Sequence, residues 1–134
     1  MLRVSGVTVL LLAACAAPET VERAGMEQAI YDYIEIHKLP ELDSLRSSSH
    51  DHWSELDEKF VIYNGRREAY LVEFTRVCSE LTEHPVVADV RSDRNAVRAR
   101  FDTIRGCRIH KIFALSENDV AELTALSPLV DGGN

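Results

Sequence analysis

The stretch "KFVIYNGRREAYLVEF", residues 59–74, constrains the fold more than any other part of the chain. Two β-rich apolar runs flank Asn64-Gly65, the pair a type I′ turn favours because both of its central residues need positive φ. Lys59 to Tyr63 and Arg67 to Phe74 are therefore expected to pair as a hairpin. On the first strand Phe60 and Ile62 point one way while Val61 and Tyr63 point the other, and the return strand also carries apolar residues of both parities. Such a hairpin must be covered on both faces, by a rolled sheet or by a helix packed over it.

The flanking sequence supplies that cover. Met26, Ile30, Tyr33, Ile34 and His37 recur at helical steps, which predicts a helix from about Glu22 to Lys38, ended by Leu39-Pro40. "PVVADV" predicts a short strand, and "AVRARFDTI" a half-buried one, with Val97, Ala99 and Phe101 alternating against Arg98, Arg100 and Asp102. Gly106 marks a turn, and "CRIHKIFAL" predicts a partner strand with Cys107, Ile109 and Lys111 opposite Arg108, His110 and Ile112. Ser116 followed by Asp119 predicts a helix start, with Val120, Leu123 and Leu126 on the buried side. The fold class is α+β: a small, mostly antiparallel sheet or partly rolled barrel of about five or six strands between an N-terminal and a C-terminal helix. A chain of 134 residues suits one such domain, expected over residues 22–127 with a tail over 128–134.

The N-terminus predicts a location. Arg3 precedes an apolar run from Val4 to Leu12, a secretory h-region that falls well short of the ~20 residues a membrane-spanning helix needs. Leu12-Ala13-Ala14-Cys15 resembles the bacterial lipobox, in which small residues admit an extended backbone to the peptidase and the thiol carries diacylglycerol. The resemblance implies that residues 1–14 are a signal peptide, that Cys15 carries acyl chains such as palmitate, and that residues 15–21 are a tether. The alternative is an ordinary secretory signal with Cys15 near the cut. Ala16 follows where an Asp would favour the inner membrane, which implies an outer-membrane anchor facing the periplasm. Three acyl chains exceed the two signals that stable anchoring requires.

With Cys15 given to lipid, Cys78 and Cys107 remain as an even pair in an oxidising compartment and are predicted to be bonded. A redox-active pair would favour Cys-x-x-Cys spacing, whereas 29 positions separate these two.

Leu45-Arg46, Trp53, Leu56-Asp57, Tyr70-Leu71, Cys78 with Leu81, and Cys107-Arg108-Ile109 followed by Ile112 together resemble a family of small uncharacterised bacterial lipoproteins with a paired-cysteine domain. The resemblance covers roughly Leu42 to Leu115. It supports the signal and disulfide readings and implies no substrate.

The remaining candidates are sparse. His50-Asp51-His52 is a metal candidate through His50 and His52, with His84 or His110 as a third ligand, set against a polar loop that holds no metal. Glu55, Asp57 and Glu58 beside Trp53 are expected to be a solvated segment. Neither a nucleophile elbow nor a phosphate-binding glycine loop is present, and no enzyme activity, catalytic residue or cofactor is expected. The net charge of −7 argues against nucleic acid as a partner. Between Arg91 and Lys111, however, seven cationic side chains face two carboxylates. Arg98 and Arg100, sharing a strand face and joined by Arg108 across the ladder, form a possible contact surface for an acidic envelope protein or an anionic glycan or lipid. The simpler alternative is the wet side of an amphipathic strand. The expected function is a lipid-anchored, non-catalytic binding or support domain in the cell envelope; the alternative is a small-ligand or metal-binding lipoprotein.

Overall fold

The computed structural model describes residues 18–47, 51–79, 90–91 and 96–127. The expected signal segment, Cys15, His50, His84 and the expected tail over 128–134 lie outside them. Helix α1 spans Pro18–Ile36 and so begins inside the expected tether; proline suits the first helical position, where its missing N–H would find no partner anyway. The helix closes with Lys38 N–H on the Glu35 carbonyl at 3.3 Å and Leu39 N–H on that of Ile34 at 3.1 Å. Lys38 takes φ of 48°, the left-handed position of a Schellman cap that usually goes to glycine.

Nine strands follow among the described residues: β1 (Glu41–Leu42), β2 (Ser44–Arg46), β3 (His52–Asp57), β4 (Phe60–Asn64), β5 (Ala69–Phe74), β6 (Val90–Arg91), β7 (Ala96–Arg98), β8 (Thr103–Ile104) and β9 (Cys107–Leu115). Helix α2, Glu117–Leu126, ends the fold; Ser116 and Asp119 form the expected capping box at its start. The main sheet runs β3-β4-β5-β9-β8-β6 with antiparallel pairing, and β1 shares the β8 flank of β9 further along that strand. It is an α+β fold whose sheet is not closed into a barrel. β2 and β7 form a separate ribbon, with Leu45 opposite Val97.

Both faces of the hairpin are covered, as the double parity requires. Phe60, Ile62, Leu71 and Phe113 pack with Ile30 and Tyr33 of α1 and Leu123 of α2. On the other face Val61, Tyr63, Tyr70 and Val72 pack under Leu45 and Val97 of the ribbon. The helices thus sit on one side of the sheet and the ribbon on the other. Leu126, expected to be buried, is 44% exposed at the last residue of α2.

Three local expectations are corrected. The hairpin exists, but Asn64 pairs with both His52 and Ala69, so the loop holds four residues, 65–68, and neither Asn64 nor Gly65 takes positive φ. Held extended between two ladders, Asn64 cannot supply the first residue of a type I′ turn. That turn occurs instead at Arg105-Gly106, with φ of 49° and 81°, between the paired residues Ile104 and Cys107.

Second, "AVRARFDTI" is not one strand. It breaks after Arg98 because Asp102 Oδ2 accepts the Arg98 backbone N–H at 2.6 Å, while Ala99 and Arg100 donate to the carbonyls of Asp43 and Ile109, at 2.9 and 2.8 Å. Arg100 therefore lies in a turn, with φ of 70°.

Third, the ladder between β5 and β9 shifts where Glu73 faces Lys111 and Phe74 faces Ile109. This bulge at His110 brings Ile109 and Ile112 into the same core and breaks the simple alternation expected for β9.

Candidate functional site

Cys78 and Cys107 are joined by a disulfide, with a Cα–Cα distance of 5.9 Å. Cys78 lies just beyond β5, its N–H donating to the Glu58 carbonyl at 2.8 Å, and Cys107 opens β9. Both are buried among Phe74, Ile104 and Ile109. A bond so enclosed offers no path for an attacking thiolate, so its place in the fold is that of a staple between two core strands.

Of the expected contact residues, Arg98 is exposed at the end of β7 with Nε 3.6 Å from Asp102 Oδ2, and its guanidinium stands 5.3 Å from the centre of the Phe101 ring. Arg100 occupies the turn just described, and Arg108 is exposed on β9 opposite Thr103. Arg98 and Arg100 accordingly do not share a strand face. They line a cleft of about 240 Å³ together with Glu41, Asp43 and Phe101, and Phe101, expected to face inward, is 72% exposed. This surface mixes both charges with an aromatic ring.

The structure does not bring the histidines of the described residues together. His52 is exposed at the start of β3, in the row of Asn64, Ala69 and Leu115. His110 sits at the bulge of β9, three strands across at ~4.8 Å each and five residues further along. Among the described residues no group of three or more His, Cys, Asp or Glu is placed to hold a metal ion.

Glu55 and Asp57 prove to belong to strand β3 rather than to a solvated segment, and Asp57 is buried. Burial raises both carboxyls above their ordinary values; neighbouring carboxylates add to this, and for Asp57 backbone hydrogen bonds partly oppose it. The ladder shift at Leu56 directs that leucine into the helix-side core and carries Asp57 inward beside it.

The densest polar network lies between α1 and the sheet. Glu73, 4% exposed near the end of β5, accepts from the Tyr31 hydroxyl at 2.5 Å, with Lys59 Nζ 3.8 Å away. Lys59 donates to Tyr31 Oη at 3.0 Å and to Glu27 Oε1 at 3.1 Å. A second cluster joins the helices: the Tyr33 hydroxyl lies 2.8 Å from Asp119 Oδ1 and 2.7 Å from Glu122 Oε2, and His37 stacks on the Tyr33 ring.

All four tyrosines of the chain are held above the ordinary phenol value of 10.0. Burial is the first cause in each case and a bonded carboxylate the second: Glu73 for Tyr31, Glu122 for Tyr33, Asp51 for Tyr63, and Glu68 for Tyr70, which is pushed up to about 12. A phenol raised in the folded state contributes stability that is complete below pH 10 and is lost as pH rises through the folded value. Ultraviolet absorbance of the native protein at about pH 10.5 is therefore expected to show little phenolate, which should appear together with loss of fold as pH rises further. Four tyrosines ionising near pH 10 in the folded chain would contradict these surroundings.

One cluster carried no sign in the sequence. Arg46, at the end of β2, stands beside Arg66 and Arg67 of the hairpin loop, around a cleft of about 370 Å³. Arg66 and Arg67 are adjacent in the chain, but Arg46 lies twenty positions before Arg66, and no periodicity joins them. Among the described residues no helix is long and apolar enough to cross a membrane.

The chain matches the model of a family of unknown function, DUF6491, over residues 1–127, and it belongs to that family. The match takes in α1 as well as the Leu42 to Leu115 stretch. No curated protein and no solved structure matches it.

Proposed function

For this member of DUF6491 we propose a lipid-anchored, non-catalytic binding or support domain of the bacterial cell envelope, held on the periplasmic face of the outer membrane through acylated Cys15. The observation that carries the reading is the buried Cys78–Cys107 disulfide, because such a bond persists in exported proteins and is rare where thiols are kept reduced. Beside it stands the run Leu12-Ala13-Ala14-Cys15 behind an h-region. Arg98, Arg100 and Arg108, with the exposed Phe101 ring, provide the contact surface, and an acidic envelope protein or an anionic glycan or lipid is the partner class.

Intact mass of protein recovered from the native envelope tests the anchor: a chain starting at Cys15 with added acyl mass is expected, and a Cys15→Ser chain should retain its leader. A wild-type chain cut elsewhere, without acyl mass, would overturn the reading. In the same envelope, Arg98→Glu with Arg100→Glu should lower recovery of crosslinked partners severalfold, and unchanged recovery would remove the arginines from the contact surface.

A further inference from the structure

We propose that the cleft walled by Arg46, Arg66, Arg67 and Tyr70 is a binding site for a dianionic phosphate group. Its position is set by the core. The Tyr70 ring is buried between the sheet and the ribbon, and its oxygen accepts the backbone N–H of Arg46 while its hydroxyl donates to the Glu68 carboxylate. One phenol thus pins the end of β2 against the far side of the hairpin loop. The loop itself is closed by Gly65 N–H on the Glu68 carbonyl at 2.8 Å. A Cβ at Gly65 would stand 3.0 Å from that carbonyl, so a side chain there would push the loop open by a few tenths of an ångström.

The result makes Arg46, Arg66 and Arg67 all lining residues of one space of about 370 Å³, together with Gly65, Glu68 and Tyr70. Among the described residues no carboxylate forms an ion pair with Arg46, Arg66 or Arg67. Glu68 is occupied by Tyr70, and Asp51, close to Gly65, accepts from the Tyr63 hydroxyl at 3.0 Å and does not line the cleft. In a chain of net charge −7, a local excess of two positive charges stands out.

The ligand class follows from charge and shape. A single carboxylate presents two oxygens and one charge, which one guanidinium fork satisfies. A terminal phosphate carries about −1.5 to −2 charges near neutrality and three acceptor oxygens. It therefore balances three guanidinium groups against one carboxylate and can be bonded from three sides, through the planar forks that suit arginine rather than lysine to this role. This cleft shares no lining residue with the one that holds Arg98, Arg100 and Phe101.

The test uses the full chain, labelled with ¹⁵N-arginine, in phosphatidylcholine nanodiscs. Inorganic phosphate should saturably shift the side-chain signals of Arg46, Arg66 and Arg67, with acetate at least ~10-fold weaker. Arg46→Gln and Arg67→Gln should each weaken phosphate binding about tenfold while leaving thermal stability unchanged, since both side chains are exposed. A second arm omits phosphate and adds phosphatidic acid to the nanodisc. A response there alone identifies a lipid headgroup as the source of the phosphate, and a response in the first arm identifies a soluble phosphate. Absence of a saturable shift in both arms, or equal binding by the glutamine variants, overturns the proposal.

Discussion

Replacing Cys78 and Cys107 together by alanine is expected to lower the unfolding free energy by about 3–4 kcal/mol, read from urea denaturation. The bond spans 29 positions, so its loss releases a large loop in the unfolded chain, and the two sulfurs leave a packed cluster that contains Phe74, Ile104 and Ile109. The effect has a direction in the structure as well. Cys78 sits where the chain leaves β5, and Cys107 where it enters β9, so the bond holds together the ends of the two central strands. Adding reductant to the wild-type protein should reproduce most of the loss under unfolding conditions, and should do nothing to the double variant. A change below ~1 kcal/mol would mean that the surrounding cluster, rather than the covalent link, sets the stability of this region.

Lys59→Met should cost about 2–3 kcal/mol, a smaller amount with a different cause. Glu73 lies inside the layer between α1 and the sheet and is partnered there by Tyr31 and Lys59. Removing the ammonium leaves a carboxylate in a site built for a pair, and the cost of an uncompensated buried charge exceeds the worth of the pair itself. For that reason Lys59→Met combined with Glu73→Leu should recover most of the loss, although each change removes a polar group. The lysine side chain is 21% exposed and the glutamate 5%, which holds the expected cost below the ~3–5 kcal/mol of fully buried pairs. A double variant as unstable as the single one would show that packing of the lysine stem dominates.

The pairing of β4 with β5 was legible because alternation is written in the residues themselves: Phe60 and Ile62 against Val61 and Tyr63 demand two covered faces whatever the covers are. The start of α2 was equally legible, since Ser116 and Asp119 satisfy each other within one turn. The strands β1, β2 and β3 were not. Each is short or carries charged residues, and each becomes a strand only because a partner already stands beside it, as Ile112 does for Leu42 and Val97 for Leu45.

The same division runs through the candidate sites. The pairing of Cys78 with Cys107 could be inferred from cysteine number and compartment, whereas the arginine surface could not be drawn correctly from strand parity, because Asp102 catches the Arg98 backbone and turns Arg100 out of the strand. Asn64-Gly65 shows the limit most directly. Its chemistry suits a two-residue turn, yet a third strand holds Asn64 extended and opens the loop to four residues. Sequence alone determined what depends on neighbours in the chain, the hairpin and the helix cap, and cysteine number pointed to the pair Cys78 and Cys107. Tertiary structure decided what depends on groups far apart in the chain. The hydroxyl of Tyr70 sets Arg46 beside Arg66 and Arg67 through two hydrogen bonds, and no periodicity records a contact between residues that meet only when a sheet and a ribbon pack together.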